Sequence, residues 1–133
     1  MGYIKAMGKY AVFTGRASRR EFWGFAIVNT IFWLIISRFY RMFPTGVGRN
    51  VMLAVALMYF AVTAVPAVAV IFRRWHDLGR TGKWILINLV PVAGWLATLG
   101  FFLCRGEAYT NEYGRDPYDQ GLKRKRKRRR ISA

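Results

Sequence analysis

Two long segments of this chain contain no charged residue. Residues 51–72 read VMLAVALMYFAVTAVPAVAVIF, and residues 84–104 read WILINLVPVAGWLATLGFFLC. The segments are 22 and 21 residues long, and a helix needs about 20 apolar residues to cross the hydrocarbon core of a bilayer. The competing interpretation is two buried helices of a soluble domain. It is disfavoured because a 133-residue soluble chain rarely needs two uncharged core helices of that length. Both segments are therefore predicted to be membrane helices.

A third apolar segment, FWGFAIVNTIFWLIIS, follows Glu21. Arg38 and Arg41 come next among aromatic residues, and their aliphatic stems can run along lipid while the guanidinium groups reach the headgroups. Ser18 and Glu21 fit a capping box, in which Ser18 accepts the Glu21 N–H and the Glu21 carboxylate reaches back to the Ser18 N–H. A membrane helix over about residues 19–43 is predicted.

These segments predict an all-α membrane protein with about three transmembrane helices in one domain, residues 1–117, followed by a disordered basic tail, residues 118–133. The predicted spans are about 19–43, 51–72 and 84–104. An alternative for the third segment is a re-entrant one, which enters the membrane and returns with Pro91 and Gly94 at its apex. Each arm would then be only about half a bilayer deep.

The N-terminal arm predicts a short helix in the membrane interface, within residues 3–13, and the alternative is a frayed chain terminus. Ile4, Met7 and Ala11 share one face of such a helix, and two lysines occupy another. An apolar face beside basic residues is typical of interfacial helices.

The distribution of Lys and Arg predicts a cytoplasmic N-terminus. If all three segments cross, residues 1–20 and the 73–83 loop hold nine basic residues, against five near the membrane on the other side. Basic residues near the ends of spans favour the cytoplasmic side. The run KRKRKRRR, residues 123–130, then lies outside, which is opposed by about 2.3 kcal/mol per charge per 100 mV of membrane potential. A re-entrant third segment removes that conflict, because all the basic clusters are then inside.

Four motifs occur in order along the chain: FTGRASRREFW, RRWHDLGRTGKW, VPVAGW and NEYGRDP. Their order and spacing resemble the small bacterial inner-membrane proteins of the family of unknown function 805, the YhaH-like proteins. The resemblance covers roughly residues 8–117. It implies a multi-span protein of the bacterial inner membrane, and it brings no established activity.

The loop FRRWHDLGRTGKW concentrates charge between two apolar segments. The favoured interpretation is an interfacial latch, in which Asp77 pairs with Arg73, Arg80 or the basic residues of the N-terminal arm, and Glu21 acts similarly from the first helix. At headgroup level such pairs are expected to be screened and worth about 1 kcal/mol each. The alternative is a docking site for an acidic surface of another protein. The candidate residues are Arg16, Arg19, Arg20, Glu21, Arg73, Arg74, His76, Asp77 and Arg80.

Catalysis is disfavoured by the same loop. His76 is the only histidine of the chain, and the side chain of its neighbour Asp77 is expected to point in a different direction. An enzyme would also need a nucleophile or a metal with further ligands. No enzymatic activity, cofactor or metal site is predicted.

The basic tail is predicted to bind anionic lipid headgroups, with about 1 kcal/mol from each basic residue near the surface. Nucleic acid is disfavoured because the run lacks interleaved aromatic residues. A solvated tail without a binding role is the remaining alternative. The residues concerned are Lys123, Arg124, Lys125, Arg126, Lys127, Arg128, Arg129 and Arg130.

The two uncharged segments lack the ionisable residues that conducting proteins usually carry at membrane depth. Their polar residues are few, and Asn29 and Asn88 are expected to hydrogen-bond between helices. The predicted function is therefore that of an accessory or regulatory protein, which binds membrane lipids or another membrane protein, including a second copy of itself. The alternative is an oligomeric channel or small-solute transporter.

Overall fold

A computed structural model describes residues 2–118, and within them the fold is all-α, as predicted. The helices are α1 Gly2–Met7, α2 Arg19–Met42, α3 Val47–Asp77 and α4 Ala93–Leu103, with a 3-10 helix Gly82–Leu89 between α3 and α4. Among the described residues the only extended pairing is an isolated bridge between Asn111 and Gly114.

Helices α2 and α3 form an antiparallel hairpin. They contain 24 and 31 residues, or about 36 and 46 Å at 1.5 Å per residue. Both are long and apolar enough to cross a membrane. The Tyr59 hydroxyl of α3 donates a hydrogen bond to Asn29 Oδ1 of α2 at 2.7 Å, which confirms the expected role of Asn29 between helices.

Residues 84–104 do not form one continuous helix. The 3-10 helix ends at Leu89, the chain reverses over Pro91 and Val92, and α4 begins at Ala93. Val92 has φ 62°, a left-handed conformation that β-branched residues rarely adopt. Helix α4 has 11 residues and is about 16 Å long, which is about half the thickness of the hydrocarbon core.

The two arms of this segment, here called the fold-back hairpin (residues 82–103), pack directly on each other. A Cβ atom on Gly94 would overlap the carbonyl oxygen of Ile87, so the close approach requires glycine. The Thr98 hydroxyl donates to Asn88 Oδ1 at 3.0 Å across the two arms, as expected for Asn88. The geometry is that of the fold-back alternative and not that of a full span.

Buried residues are confined to one end of the α2–α3 hairpin. No residue from 26 to 62, here called the open half, is buried. In α2 the buried residues are Glu21 and Phe25, both near its start, and in α3 they begin only at Thr63. We call this packed end, with the segments that contact it, the closed end.

The N-terminal arm contributes to the apolar core of the closed end. That core contains Ala6, Ala17, Phe25 and Val70. The predicted helix is present as α1, but its predicted apolar face is wrong in part. Ala6 packs in the core, whereas Ile4 is 67% exposed. Helix α1 ends at Met7, so Ala11 lies outside it.

Candidate functional site

Two carboxylates are buried at the closed end, one on each long helix. Glu21 lies in the first turn of α2, and Asp77 is the last residue of α3. Both side chains are at most 1% exposed. A buried carboxylate is unfavourable unless cations and hydrogen-bond donors surround it, so the neighbours of each carboxylate define the site.

Asp77 is held between two arginines. Arg16 Nε donates to Asp77 Oδ1 at 2.9 Å, and Arg74 Nη1 donates to Asp77 Oδ2. A Cβ on Gly106 would overlap Asp77 Oδ2, so the chain after α4 passes the carboxylate at a point where only glycine fits. The sequence predicts Arg73, Arg80 or the arginines of the N-terminal arm as partners of Asp77. The structure uses Arg16 of that arm, and its second partner is Arg74 in place of Arg73 or Arg80.

Glu21 binds the other arginine of the pair at the end of α3. Arg73 Nη1 donates to Glu21 Oε1, and Lys5 Nζ lies 3.1 Å from Glu21 Oε2. Burial lowers the pKa of nearby Lys9, and the charge of Glu21 opposes that change. The consecutive residues Arg73 and Arg74 therefore serve different carboxylates and join α2, α3 and the N-terminal arm.

Half of the predicted capping box is present. Ser18 is the N-cap of α2, and its Oγ accepts the Glu21 N–H at 3.3 Å. The Glu21 carboxylate does not reach back to the Ser18 N–H, because it is engaged by Arg73 and Lys5. Ser18 therefore caps the start of α2, while the Glu21 side chain forms ion pairs with Arg73 and Lys5.

The same arginines hold the chain that follows α4. Arg74 Nη2 donates to the carbonyl oxygens of Phe102, at 3.1 Å, and Cys104. Arg16 Nη1 donates to the Tyr109 carbonyl at 2.6 Å, and Arg16 Nη2 donates to that of Glu107. Cations at the C-terminal carbonyls of a helix are favourable. The network therefore closes both the α2–α3 hairpin and the end of the fold-back hairpin.

An aromatic stack lies beside the ion network. The rings of His76 and Tyr113 are parallel within 2°, with centroids 3.9 Å apart. His76 Nδ1 lies 3.2 Å from the Gly15 carbonyl, and Asn111 Nδ2 donates to the His76 carbonyl at 3.0 Å. The motifs WHD and NEYG are thus in contact. His76 and Asp77, although adjacent, have separate partners.

Most of the candidate residues meet at this network, which we call the buried ion network. Its members are Arg16, Glu21, Arg73, Arg74 and Asp77. His76 lies beside it, and Arg19 borders it by donating to the Leu103 carbonyl at 3.0 Å. Arg20 and Arg80 are exposed, and Arg80 stacks on Trp84. The octabasic run, residues 123–130, lies outside the described residues.

The burial corrects one expectation from the sequence. The pairs are not screened at a surface, because the side chains of Arg16, Arg73, Arg74, Glu21 and Asp77 are 0–1% exposed. Interactions of this kind depend strongly on geometry, and the loss of one partner leaves an uncompensated buried charge. Glu107, Asn111 and Tyr113 were not identified from the sequence as contact residues.

Within the described part of the chain, no three His, Cys, Asp or Glu side chains are placed to hold a metal ion together. The arrangement does hold segments together: it binds the N-terminal arm, the start of α2, the end of α3 and residues 104–114 into one unit. Each of these four segments contributes either a charged group or a backbone carbonyl.

Comparison with known proteins identifies relatives over nearly the whole chain. The family described as protein of unknown function (DUF805) matches residues 10–115. The inner membrane protein YhaI of Escherichia coli (strain K12) is 36% identical over 115 residues, which cover 86% of this chain and 93% of YhaI. The inner membrane protein YhaH of the same strain is 34% identical over 117 residues, which cover 86% of this chain and 94% of YhaH.

No solved structure gives a significant match to the chain. The family match spans most of the sequence, and both relatives are inner membrane proteins of unknown function. Three of the four motifs that carried the resemblance, FTGRASRREFW, RRWHDLGRTGKW and NEYGRDP, meet at the buried ion network and the stack beside it. The fourth, VPVAGW, forms the reversal of the fold-back hairpin. This chain therefore belongs to the DUF805 family.

Proposed function

We propose that this protein is a multi-pass accessory or regulatory protein of the bacterial inner membrane, which acts by binding membrane lipids or another membrane protein. The observation that carries the proposal is the open half. Its long apolar helices leave large side chains uncovered, and Leu57, for example, is 60% exposed. A continuous apolar surface of this size marks a membrane or protein contact. The relatives YhaI and YhaH, both inner membrane proteins, support the location.

The proposed topology has two membrane-crossing helices, α2 and α3, and a re-entrant fold-back hairpin. The contacts of the closed end support it. Arg16, before α2, and Asp77, at the end of α3, both contact the chain that follows α4. In the proposed topology, residues 2–18, the 78–81 turn and residues 104–118 lie on one side of the membrane.

The basic residues support placing that side in the cytoplasm. Arg38, Arg41 and Arg49 lie at or beside the turn between α2 and α3, which leaves 11 of the 14 Lys and Arg residues in the described part of the chain on the side of the closed end. Such an imbalance favours a cytoplasmic position for the basic side. The octabasic run is then inside as well, where anionic lipid headgroups attract it.

Reporter fusions test this topology. A fluorescent reporter that matures only in the cytoplasm, fused after Ala133, should be bright, and a periplasm-dependent phosphatase fused there should be inactive. In a Cys104→Ser background, Thr45→Cys should be labelled from outside and Glu112→Cys should be protected. A dark fluorescent fusion with an active phosphatase would contradict the topology.

Site-specific photocrosslinking in native inner membranes tests the binding role. A crosslinking residue at Leu57, in the open half, should give a discrete adduct with a lipid or a second protein. The same residue at Phe25, which is buried in the core, should give only intramolecular products. Equal yields of external adducts at both positions would count against a specific role for the open half.

A flux measurement addresses the alternative function. The purified protein in liposomes should not dissipate an imposed ion or solute gradient. Gradient loss that depends on the protein, and that persists across preparations of different protein density, would replace the accessory role with that of a channel or transporter.

A further inference from the structure

A small cavity lies where the 3-10 helix leaves the closed end. It is shallow and open to the surface, has a volume of about 270 Å³ and is lined by Thr81, Lys83, Trp84 and Ile87. One part of the lining offers a hydroxyl group and an ammonium group, and the other offers an aromatic ring and an aliphatic chain. A cavity of this composition suits a ligand with a polar headgroup and an apolar remainder.

One cation, Lys83, lines this cavity, and a second, Arg80, contacts the ring of the lining residue Trp84. The guanidinium of Arg80 lies over the ring of Trp84 at 4.6 Å from its centroid, and Lys83 is exposed beside it. The carboxylate of Glu107 packs against Gly79, next to Arg80 in the sequence, and accepts hydrogen bonds from Tyr109 and Asn111. Within residues 2–118, neither Arg80 nor Lys83 forms an ion pair with a carboxylate. The cavity therefore carries uncompensated positive charge.

Neutral donors add to the two charges. Thr81 is the N-cap of the 3-10 helix, but its side chain makes no capping hydrogen bond. Its hydroxyl is therefore available as a donor at the positive end of that helix, where anions are favoured. A hydroxyl, an ammonium and a guanidinium around one cavity are the donor set that a phosphate monoanion requires.

The residues that follow place the cavity at the surface of a bilayer. Leu86 and Leu89 of the same 3-10 helix are 60% and 78% exposed. In the sequence, Trp84 follows the two cations and precedes these apolar residues, and tryptophan is enriched at the membrane–water interface. A phosphate bound here would continue into acyl chains lying along Leu86 and Leu89.

We propose that Thr81, Lys83 and Arg80 form a binding site for the phosphate of an anionic phospholipid. Two cations without a paired carboxylate favour a headgroup with net negative charge over a zwitterionic one. The proposal rests on the proposed membrane topology, because the fold-back hairpin must lie in the bilayer for the lipid to reach the cavity. It adds a defined ligand class and site to the general binding role.

Lipid titration of the purified full chain in detergent tests the site, with phosphatidylglycerol as the probe and native mass spectrometry as the readout. Lys83→Gln and Arg80→Gln should each weaken phosphatidylglycerol binding by about fivefold, since one basic residue near the headgroup is lost. Arg115→Gln is the matched control, because it removes one exposed cation elsewhere on the same end. Its affinity should stay within about twofold of the unmodified protein.

Three outcomes would overturn the proposal: equal weakening by Arg115→Gln, equal affinity for phosphatidylcholine, or displacement of the lipid by inorganic phosphate at equal concentration. The last would identify a free phosphate as the ligand.

Thermal unfolding of each variant in detergent should match that of the unmodified protein, since all three side chains are exposed. If the cytoplasmic reporter fused after Ala133 is bright but Lys83→Gln leaves the phosphatidylglycerol affinity unchanged, only the lipid site is rejected. If the reporter is dark, the membrane topology on which the site depends is rejected.

Discussion

The closed end and the open half distribute polarity in opposite ways. At the closed end, Arg73, Arg74 and Asp77 are fully buried among protein groups. In the open half, no residue from 26 to 62 is buried, and aliphatic and aromatic side chains cover its surface. Both regions occur on the same two helices, so the difference arises from what surrounds each part and not from the type of secondary structure.

The contrast shows which part of the fold is held by polar contacts within the chain. The closed end supplies the counter-ions of its buried charges and many of their hydrogen-bond partners, although Arg73 Nη2, Arg74 Nε and Trp75 Nε1 are buried without one. The open half has few such contacts, chiefly the Asn29–Tyr59 hydrogen bond and the aromatic contacts of Trp33. Its arrangement must depend on an apolar environment that the described chain does not provide.

The largest expected effect comes from the charge at the centre of the closed end. Asp77→Asn leaves Arg16 and Arg74 buried without their counter-ion, and the stability of the fold should fall by about 3–5 kcal/mol. Thermal unfolding in detergent measures the change. Glu112→Gln removes an exposed carboxylate on the same side and should change stability by at most about 0.5 kcal/mol. Similar shifts for both variants would show that the network does not stabilise the closed end.

The next largest effect concerns Gly106, where the chain after α4 passes close to Asp77. Gly106→Ala places a methyl group against a carboxylate that two arginines hold in position, so overpacking should destabilise the fold by about 1–3 kcal/mol. Gly100→Ala is the matched control, since nothing lies within 4 Å of its Cβ position. In helix α4 that change should be neutral or stabilising by up to about 1 kcal/mol. The same unfolding assay would contradict this account if the two alanine variants were equally destabilised.

A smaller effect is expected at the aromatic stack. Tyr113→Ala removes the ring that lies on His76 and should destabilise the contact by about 1 kcal/mol. Amide hydrogen exchange of residues 104–118 should rise, because the stack helps to hold that segment on α3. Tyr109→Ala keeps the Tyr109 backbone carbonyl that Arg16 uses and removes an exposed ring. Faster exchange in the Tyr109 variant than in the Tyr113 variant would count against a holding role for the stack.

The smallest effect should occur in the open half. Leu57→Ala removes an exposed side chain and should change unfolding stability in detergent by at most about 0.5 kcal/mol. Val70→Ala, a truncation in the core of the closed end, should lower stability by about 1–2 kcal/mol. If the Leu57 variant were the less stable of the two, the open half would be packed more tightly than its exposure indicates.

The long helices were predictable because an uninterrupted apolar run is a strong local signal. The capping box also gave the start of α2 at Ser18. The interruption of 84–104 was harder to predict, since absence of charge does not reveal where a backbone reverses. Pro91 and Gly94 marked the site of the reversal, and the contact of Gly94 with Ile87 explains why the turn is stable. Once the hairpin folds back, the conflict in the positive-charge count disappears.

The nine candidate residues include all five members of the buried ion network, but Arg20 and Arg80 lie outside it. The sequence left open which arginine pairs with each carboxylate. The sequence identified Glu21 and Asp77 as charges that need partners, but which arginine meets which carboxylate depends on helix rotation and packing. A motif rich in arginine has the composition of an exposed surface, so the burial of Arg73 and Arg74 could not be inferred from the sequence. Asn111 and Tyr113 were missed because they lie 35 and 37 residues from His76, which they contact, and follow no periodic pattern.

The hydrogen bonds of Arg16 have a consequence for the order of synthesis. Its carbonyl partners at Glu107, Tyr109 and Gly114 follow it by 91, 93 and 98 residues. At about 5–20 residues per second, a ribosome needs about 5–20 s to produce that interval. Helices α2 and α3 are completed within this interval, before the carbonyl groups that accept hydrogen bonds from Arg16 have been synthesised. The final fifteen residues of the described chain thus complete the hydrogen bonds of an arginine made near the start of synthesis, and a nascent chain stopped before residue 107 would leave Arg16 without these carbonyl acceptors.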